Sequence, residues 1–379
     1  MNVVLRHGKK STIMSNRSVG CKSTIKPNRR GTKPTRGSKK LPVNLRTSLF
    51  TGPYSVKLRI TQVMIHTLIA TILFTKPVDE LLTPETPIAV PGGAGKFDFM
   101  NIDRTNRFVF ACHPGKKSFT VVNLTSKEVK DVDAGVEVNG ICADSAGKLV
   151  FAAGPGNTLV KFDSTTWTKV GSLALSGPGD CVQYDSKHGV VYVDNDDGTN
   201  LWVVDPKEMK IVDTITIKEA PEYMEYSRRT DKIFQAIKST STVQLIDAVT
   251  RKVEAEWKLG DLTSPHGLAL DRQAGLVFVA GKNGKLVILN STTGKLLNTV
   301  DIVKGSDQIA YDGQLKRLYI PSESKIQVVQ IEGENGKVVS TVPVGADCHR
   351  VTVDPTTHDV WVAYTEKTDS FVQKFVAKQ

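Results

Sequence analysis

Acidic residues are missing from the start of this 379-residue chain: residues 1–78 contain neither aspartate nor glutamate. The same segment carries sixteen lysines and arginines, and subtracting them from the net charge of +11 leaves −5 for residues 79–379. The basic character therefore belongs to the leader. The rest of the chain also lacks an aromatic and basic platform for RNA, so we do not expect nucleic acid as a partner.

Cysteine is scarce, with five residues at spacings that match no disulfide framework. An odd number without regular spacing argues against a disulfide-stapled scaffold. We interpret Cys181 and Cys348 as buried, inert thiols; the alternative is that they are thiolate ligands of a metal.

Long apolar runs are also rare, and the leader contains a short one, VMIHTLIATILF (63–74). This run is too short for a typical transmembrane helix and matches the hydrophobic part of a signal peptide. We predict a disordered basic tail over 1–62 and a hydrophobic signal or anchor segment with a linker over 63–78. Export to the periplasm or the extracellular space is favoured. An uncleaved membrane tether through 63–74, an organellar transit peptide and a wrongly assigned start codon stay open as alternatives.

Familiar catalytic motifs are absent as well. The sequence has no glycine-rich phosphate loop, no G-x-S-x-G elbow and no H-E-x-x-H helix, and nothing in it identifies a nucleophile. Enzyme classes that depend on these motifs are therefore not indicated.

What the chain does contain is a repeat of about 42 residues. The corresponding segments are RFVFACH (107–113), KLVFAAG (148–154), GVVYVDN (189–195), KIFQAIK (232–238), GLVFVAG (275–281), RLYIPSE (317–323) and DVWVAYT (359–365). Each follows a polar turn and precedes further short strands. Seven units of four short antiparallel strands predict an all-β protein, a seven-bladed β-propeller over residues 79–379.

The last unit is one strand short, because FVQKFVA (371–377) is only the third strand of the seventh blade. We predict that the segment 87–92, ahead of the first blade, supplies the missing strand. This exchange would close the ring and leave no exposed sheet edge between the first and last blades.

Several of these segments also resemble a known family. VVYVDN (190–195), with the turns DSTT (163–166) and NSTTGK (290–295), resembles the YVTN-type or YncE-like seven-bladed propellers over about residues 85–379. FDFMNID (97–103) and PEYMEYS (221–227) are similar to the matching parts of blades one and four. The resemblance implies a propeller and an exported protein. It does not imply an activity, because propellers include enzymes, binders and scaffolds.

One position of the repeat is rich in residues that bind metals. Five residues before the turn residue of each unit the sequence has Asp98, Asn139, Asp180, Glu222, His266, Asp307 and His349. Six of the seven are Asp, Glu or His, where the composition would place about one by chance. Because the chain enters the innermost strand of each blade here, these side chains are predicted to surround the mouth of the central channel.

Two imidazoles and four carboxylates in one ring suit a divalent cation of unspecified identity, and like charges crowded there without one would shift their pKa values. The predicted metal ligands are His266, His349, Asp307 and Glu222. The other predicted ligand-binding residues of the mouth are Asp98, Asn139, Asp180 and His113. The alternative is that these polar residues only cap turns and line a water-filled channel. The nearby DNDDG (194–198) lacks the distal glutamate of an EF-hand and is interpreted as a solvated turn.

These features predict a monomeric, non-catalytic module that binds a divalent metal and a small molecule or partner protein on the channel-mouth face. The alternative is a metal-dependent, lactonase-like hydrolase or lyase that activates water at the same place.

Overall fold

Short strands make up nearly all the regular structure between residues 81 and 379, the part of the chain that the computed structural model describes. In chain order they are β1 (Leu82–Pro84), β2 (Ile88–Val90), β3 (Met100–Asp103), β4 (Phe108–His113), β5 (Ser118–Asn123), β6 (Val129–Asp133), β7 (Gly140–Asp144), β8 (Leu149–Ala153), β9 (Thr158–Asp163), β10 (Thr168–Ala174), β11 (Gly179–Asp185), β12 (Val190–Asn195), β13 (Asn200–Asp205), β14 (Lys210–Thr216), β15 (Pro221–Ser227), β16 (Lys232–Ile237), β17 (Thr242–Asp247), β18 (Lys252–Lys258), β19 (Pro265–Asp271), β20 (Leu276–Gly281), β21 (Lys285–Asn290), β22 (Leu296–Asp301), β23 (Ala310–Asp312), β24 (Arg317–Ser322), β25 (Lys325–Glu332), β26 (Asn335–Pro343), β27 (Arg350–Val353), β28 (Val360–Glu366) and β29 (Asp369–Ala377). One 3₁₀ turn, Pro114–Lys116, lies between β4 and β5.

These strands form seven antiparallel sheets, which confirms the predicted seven-bladed propeller. Blades 1 to 6 are β3–β6, β7–β10, β11–β14, β15–β18, β19–β22 and β23–β26, and blade 7 contains β27–β29 with β1 and β2. The first strand of each blade contacts the first strand of the next, and β27 contacts β3. The seven innermost strands therefore form a closed circle around a central channel.

Blade 7 is completed by strands from the beginning of the propeller. Ile88 of β2 lies opposite Val372 of β29, which confirms the predicted pairing of 87–92 with the last strand. The structure adds a second segment that the sequence did not indicate, because Leu82 of β1 lies opposite Ala377. Both segments cover the edge of β29 that would otherwise be unpaired.

Alternation along the strands gives each blade two buried faces. In β20, Phe278 packs with Leu318 of blade 6, whereas Val279 belongs to a cluster that includes Phe234 of blade 4. All three residues of 277–279 are fully buried. Because successive side chains point to opposite faces, one strand contributes to the packing on both sides of its blade.

Aspartates hold the turns between first and second strands, as the repeat pattern predicted. The Oδ1 atom of Asp103 accepts hydrogen bonds from the amides of Thr105 and Asn106, each at 3.0 Å. Asp271 accepts equivalent bonds from Gln273 and Ala274. Such turns satisfy backbone donors that strand pairing cannot reach. They also place these hairpins on the face opposite the predicted ring.

Four cysteines of the described chain are buried and free of disulfide bonds: Cys112, Cys142, Cys181 and Cys348. Burial raises the pKa of the Cys348 thiol to about 12, so it stays protonated at neutral pH. This agrees with the interpretation of Cys181 and Cys348 as inert thiols.

Two sequence predictions fall outside the described residues, namely the basic tail over 1–62 and the hydrophobic segment over 63–78. Within residues 81–379, no helix has the length and apolar character needed to cross a membrane.

Candidate functional site

The seven ring residues lie at the entrance to the innermost strands, where the repeat predicted them. Asp180, Glu222 and His266 are in the first two positions of β11, β15 and β19. Asn139 and His349 immediately precede the inner strands of their blades, and Asp98 and Asp307 lie a few residues before theirs. Side-chain contacts, described below, join each blade to the next around the mouth, except between blades 1 and 2. There the backbone amide of Phe99 donates to the Asn139 carbonyl at 3.0 Å.

A buried arginine joins two of the ring carboxylates. The Nη2 atom of Arg350 donates to Asp98 Oδ1 at 3.1 Å, and its Nη1 atom donates to Asp307. Arg350 is only 6% exposed, and its guanidinium lies 5.8 Å from the centre of the Phe99 ring. The arginine therefore connects blades 6, 7 and 1 across one side of the mouth. Arg350 was not among the residues predicted from the sequence.

Two lysines from the loops between second and third strands supply further positive charge. Lys238 Nζ lies 2.6 Å from Glu222 Oε2 and 2.7 Å from Asp196 Oδ1. Burial opposes the charged form of Lys238, but these two carboxylates raise its pKa above the ordinary value. Lys282 forms an ion pair with Asp307. The ring is thus partly neutralised by side chains of the protein itself.

Three carboxylates of the mouth come close enough to hold a metal ion together. One oxygen each of Asp180, Asp196 and Glu222 lies within 4.8 Å of the others. Burial raises the pKa of Asp180 well above its ordinary value, and the negative charges of Glu222 and Asp98 raise it further. Asn139 Nδ2 donates to Asp180 Oδ1 at 2.9 Å. A cation placed among these oxygens would relieve the repulsion that raises this pKa.

His266 borders this acidic group with an unprotonated nitrogen. Its Nδ1 lies 2.9 Å from the Ser264 carbonyl oxygen, which can only accept, so Nδ1 carries the proton. Its Nε2 lone pair then faces Glu222 Oε1 at 3.8 Å. Burial, followed by the charge of Lys282, lowers the pKa of His266 to about 3, which keeps the ring neutral. Two potential acceptors therefore face each other here, and burial raises the pKa of Glu222 above its ordinary value.

His349 and Asp307 form a separate group on the other side of the ring. His349 Nδ1 lies 3.1 Å from the Gly305 carbonyl oxygen and 3.9 Å from Asp307 Oδ2. The Asp307 carboxylate is already engaged by Lys282 and Arg350. The four predicted metal ligands therefore divide into two pairs, His266 with Glu222 and His349 with Asp307, and only the first pair adjoins the group of three carboxylates.

His113 lies away from the surface of the mouth. It is fully buried, and its ring stacks on Phe97 with a centroid separation of 3.7 Å. Neither ring nitrogen has a hydrogen-bond partner among residues 81–379. Burial, followed by the charge of Lys116, lowers the pKa of His113 to about 3. The structure thus places His113 in the interior of blade 1, apart from the side-chain contacts that connect the ring residues.

The interpretation of DNDDG (194–198) as a solvated turn is wrong for its first two residues, Asp194 and Asn195, which are buried and end β12. Asp194 accepts a hydrogen bond from the Cys181 amide at 2.7 Å and another from Gln235 Nε2 at 3.1 Å. Asp196 of the loop that follows belongs to the acidic group. The metal-binding potential of Asp196 was not predicted.

Below the ring a glutamine closes the channel. Gln308 accepts from the Met100 amide at 3.0 Å and donates to the Met100 carbonyl at 2.7 Å, which links blade 6 to blade 1. Its Nε2 also lies 3.4 Å from the Tyr223 hydroxyl, and Tyr223 packs edge-on against Phe99. The mouth is therefore a cup with a floor, which suits a small ligand better than a passage through the ring.

Comparisons with other proteins support the fold alone. No protein-family model and no curated protein matches the sequence. A solved structure titled "Crystal Structure of Mitotic Checkpoint Complex" is similar at a TM-score of 0.67 and 15% identity, over 78% of this chain and 94% of that one. A structure titled "Kuenenia stuttgartiensis Hydrazine Synthase" is similar at a TM-score of 0.66 and 13% identity, over 76% of this chain and 97% of that one. At these identities the likeness carries no inference about activity.

Proposed function

We propose that this protein is a non-catalytic binding module whose channel mouth holds a divalent cation and, beside it, a small ligand. The observation that carries the proposal is the approach of His266 Nε2 to Glu222 Oε1, two lone-pair acceptors at 3.8 Å. They adjoin the oxygens of Asp180 and Asp196. A cation that accepts all of these lone pairs resolves the arrangement, and imidazole with carboxylates is a suitable donor set for a divalent ion.

The balance of charge at the mouth supports a cationic guest. The carboxylates of the ring and of the acidic group are Asp98, Asp180, Asp196, Glu222 and Asp307, and the cations beside them are Lys238, Lys282 and Arg350. With neutral histidines this leaves two negative charges in excess when all of these carboxylates are ionised, and burial raises the pKa values of Asp180 and Glu222. The hydrogen bond from His266 Nδ1 to a carbonyl also orients the ring as metal-binding histidines are oriented.

The small ligand would lie in the cup above Gln308 and complete the coordination of the ion. A metal-dependent hydrolase or lyase would use the same place. Binding is the better supported function because the contacts described at the mouth concern the balance of charge, and none of them requires a chemical step. Turnover of a simple lactone or ester by the metal-loaded protein would favour the enzyme.

Kinship and location are further parts of the proposal. The segment VVYVDN (190–195) and the repeat length support a YVTN-type or YncE-like propeller. The acid-free leader with its apolar run 63–74 supports export. Fractionation of cells that produce the full chain tests the second point, and recovery in the cytosolic fraction alone would contradict it.

Titration of the full chain with Mn²⁺, followed by electron paramagnetic resonance, tests the cation site. We expect one bound ion, and we expect Glu222→Gln to weaken binding by about tenfold or more, because this residue joins both halves of the donor set. Lys238→Met should strengthen Mn²⁺ binding, because the lysine ammonium competes for Glu222 and Asp196. The Lys238→Met protein should also melt at a lower temperature in chelator and recover on addition of Mn²⁺.

Asp307→Asn is the matched control, because it removes a ring carboxylate that lies outside the acidic group and is engaged by Lys282 and Arg350. It should leave Mn²⁺ affinity within about twofold. Equal losses in the Glu222 and Asp307 variants would show only a diffuse negative field. A Lys238→Met variant whose melting temperature ignores Mn²⁺ would overturn the site.

A further inference from the structure

The opposite end of the channel has a different chemistry. The turns between first and second strands meet there and surround a depression of about 530 Å³. Its lining includes Arg104 of blade 1, Arg228 of blade 4 and Arg272 of blade 5. Arg104 and Arg272 also line the lower end of the channel, so the depression opens directly onto the axis. Three guanidinium groups from different blades therefore surround one hollow.

Two of these arginines have no partner in the described chain. Most other arginines of the propeller are paired, for example Arg107 with Asp354 and Arg251 with Asp213. Among residues 81–379, the side chains of Arg104 and Arg228 form no hydrogen bond or ion pair, and both are exposed. A guanidinium offers five donors in a plane, so each leaves its full donor set available to a guest.

Acidic side chains balance these arginines only in part. Glu225 Oε2 lies 2.6 Å from Arg272 Nη2, which also donates to the Tyr226 carbonyl. Asp144 is the one carboxylate of the lining, and its Oδ1 accepts from the amide of Gly147 within its own turn. The lining also contributes the hydroxyls of Thr105 and Ser186. Three guanidiniums against one carboxylate leave the depression with an excess of positive charge and of donors.

We propose that this depression binds a small organic phosphate, with the phosphate oxygens between Arg104 and Arg228. Guanidiniums that line one depression suit a phosphate dianion, which presents several acceptors to their planar donors. The remaining lining supplies less polar surface from Tyr184, Ala143 and Ala146, against which an organic group can pack. A hollow of this volume falls within the range of small-molecule pockets, whereas inorganic phosphate alone would fill little of it.

This site is independent of the proposed cation site, because Gln308 and Tyr223 close the channel between the two mouths. The two sites also differ in the sign of their charge, since guanidiniums attract anions, which the acidic mouth repels. A ligand that carries both a cationic and a phosphate end could not reach both sites through the closed channel.

Phenyl phosphate is the probe for isothermal titration with the full chain at low ionic strength. We expect saturable binding of one molecule that weakens as salt is added. The Arg104→Gln/Arg228→Gln double variant should bind at least about tenfold more weakly. Lys295→Gln/Lys316→Gln is the matched control: it removes two exposed cations of the same face that do not line the depression, and its affinity should stay within about twofold.

Two further arms separate the source of any signal. Glu222→Gln should bind phenyl phosphate as the unaltered protein does, because it alters only the opposite mouth. Inorganic phosphate should bind more weakly than phenyl phosphate if the organic group contributes. No binding of phenyl phosphate at millimolar concentration, or equal losses in the arginine and lysine double variants at unchanged melting temperatures, would overturn the proposal.

Discussion

Replacing Arg350 by methionine is expected to lower the free energy of unfolding by roughly 3–5 kcal/mol. The methionine keeps most of the side-chain volume but leaves Asp98 without its cation and Asp307 with Lys282 alone. Asp307 is 8% exposed, so water cannot replace the lost partner well. The measurement is the shift of the urea unfolding curve at pH 7.

Arg251→Met is the control, because Arg251 pairs with Asp213 where their side chains are 31% and 44% exposed. An exposed pair of this kind is worth roughly 0–1 kcal/mol. Adding Asp98→Asn to Arg350→Met should restore part of the stability, since it removes the carboxylate that has lost its only cation. A change at Arg350 no larger than that at Arg251 would mean that the ring does not depend on its buried cation.

The number of blades and their closure could be predicted from the sequence because both depend on local, repeated patterns. A period near 42 residues and strands with alternating apolar positions determine four strands per unit. The pairing of 87–92 followed from counting strands in blade 7. The pairing of β1 (Leu82–Pro84) with β29 could not be predicted by counting strands. Strand β2 already supplies the fourth strand of blade 7, and β1 extends the same edge.

The ring positions could also be predicted, since one slot of a repeat becomes a circle in a propeller. The ion pairs within the circle could not. Arg350 follows a ring histidine in sequence, and only the turn of the chain at the start of β27 brings its guanidinium between blades 6 and 1. Lys238 and Lys282 directly follow the second strands of their blades, but their reach to Glu222 and Asp307 depends on side-chain conformations that a sequence does not encode locally.

The same limit explains the division of the predicted metal ligands. The repeat pattern makes all seven positions look equivalent, yet the three cations Lys238, Lys282 and Arg350 are not evenly distributed among them. Lys282 and Arg350 neutralise Asp307, whereas the group of Asp180, Asp196 and Glu222 has Lys238 alone. The residual negative charge, and with it the proposed cation site, therefore lies around blades 3 and 4.

Buried histidine gives the propeller a built-in sensitivity to acid. His113 is fully buried with no polar partner in the described chain, and its pKa is lowered from 6.5 to about 3. The unfolded chain therefore takes up a proton at a pH where the folded protein does not. Stability from the neutral ring is complete above pH 6.5 and is lost as the pH falls from 6.5 towards 3. The whole difference corresponds to roughly 4–5 kcal/mol.

When the pH is lowered from 7 to 4, the free energy of unfolding is therefore expected to fall by roughly 3 kcal/mol less in a His113→Leu variant than in the unaltered protein. Leucine keeps the apolar contact with Phe97 and removes two unpaired nitrogens, so stability at pH 7 should change little. The check is urea unfolding at both pH values. Phe97→Leu is the control: it removes a neighbouring ring that does not titrate, and should lower stability equally at both. If His113→Leu shows the same pH dependence of stability as Phe97→Leu and the unaltered protein, the acid sensitivity lies elsewhere. His266, whose pKa is also lowered to about 3, is then the next residue to replace.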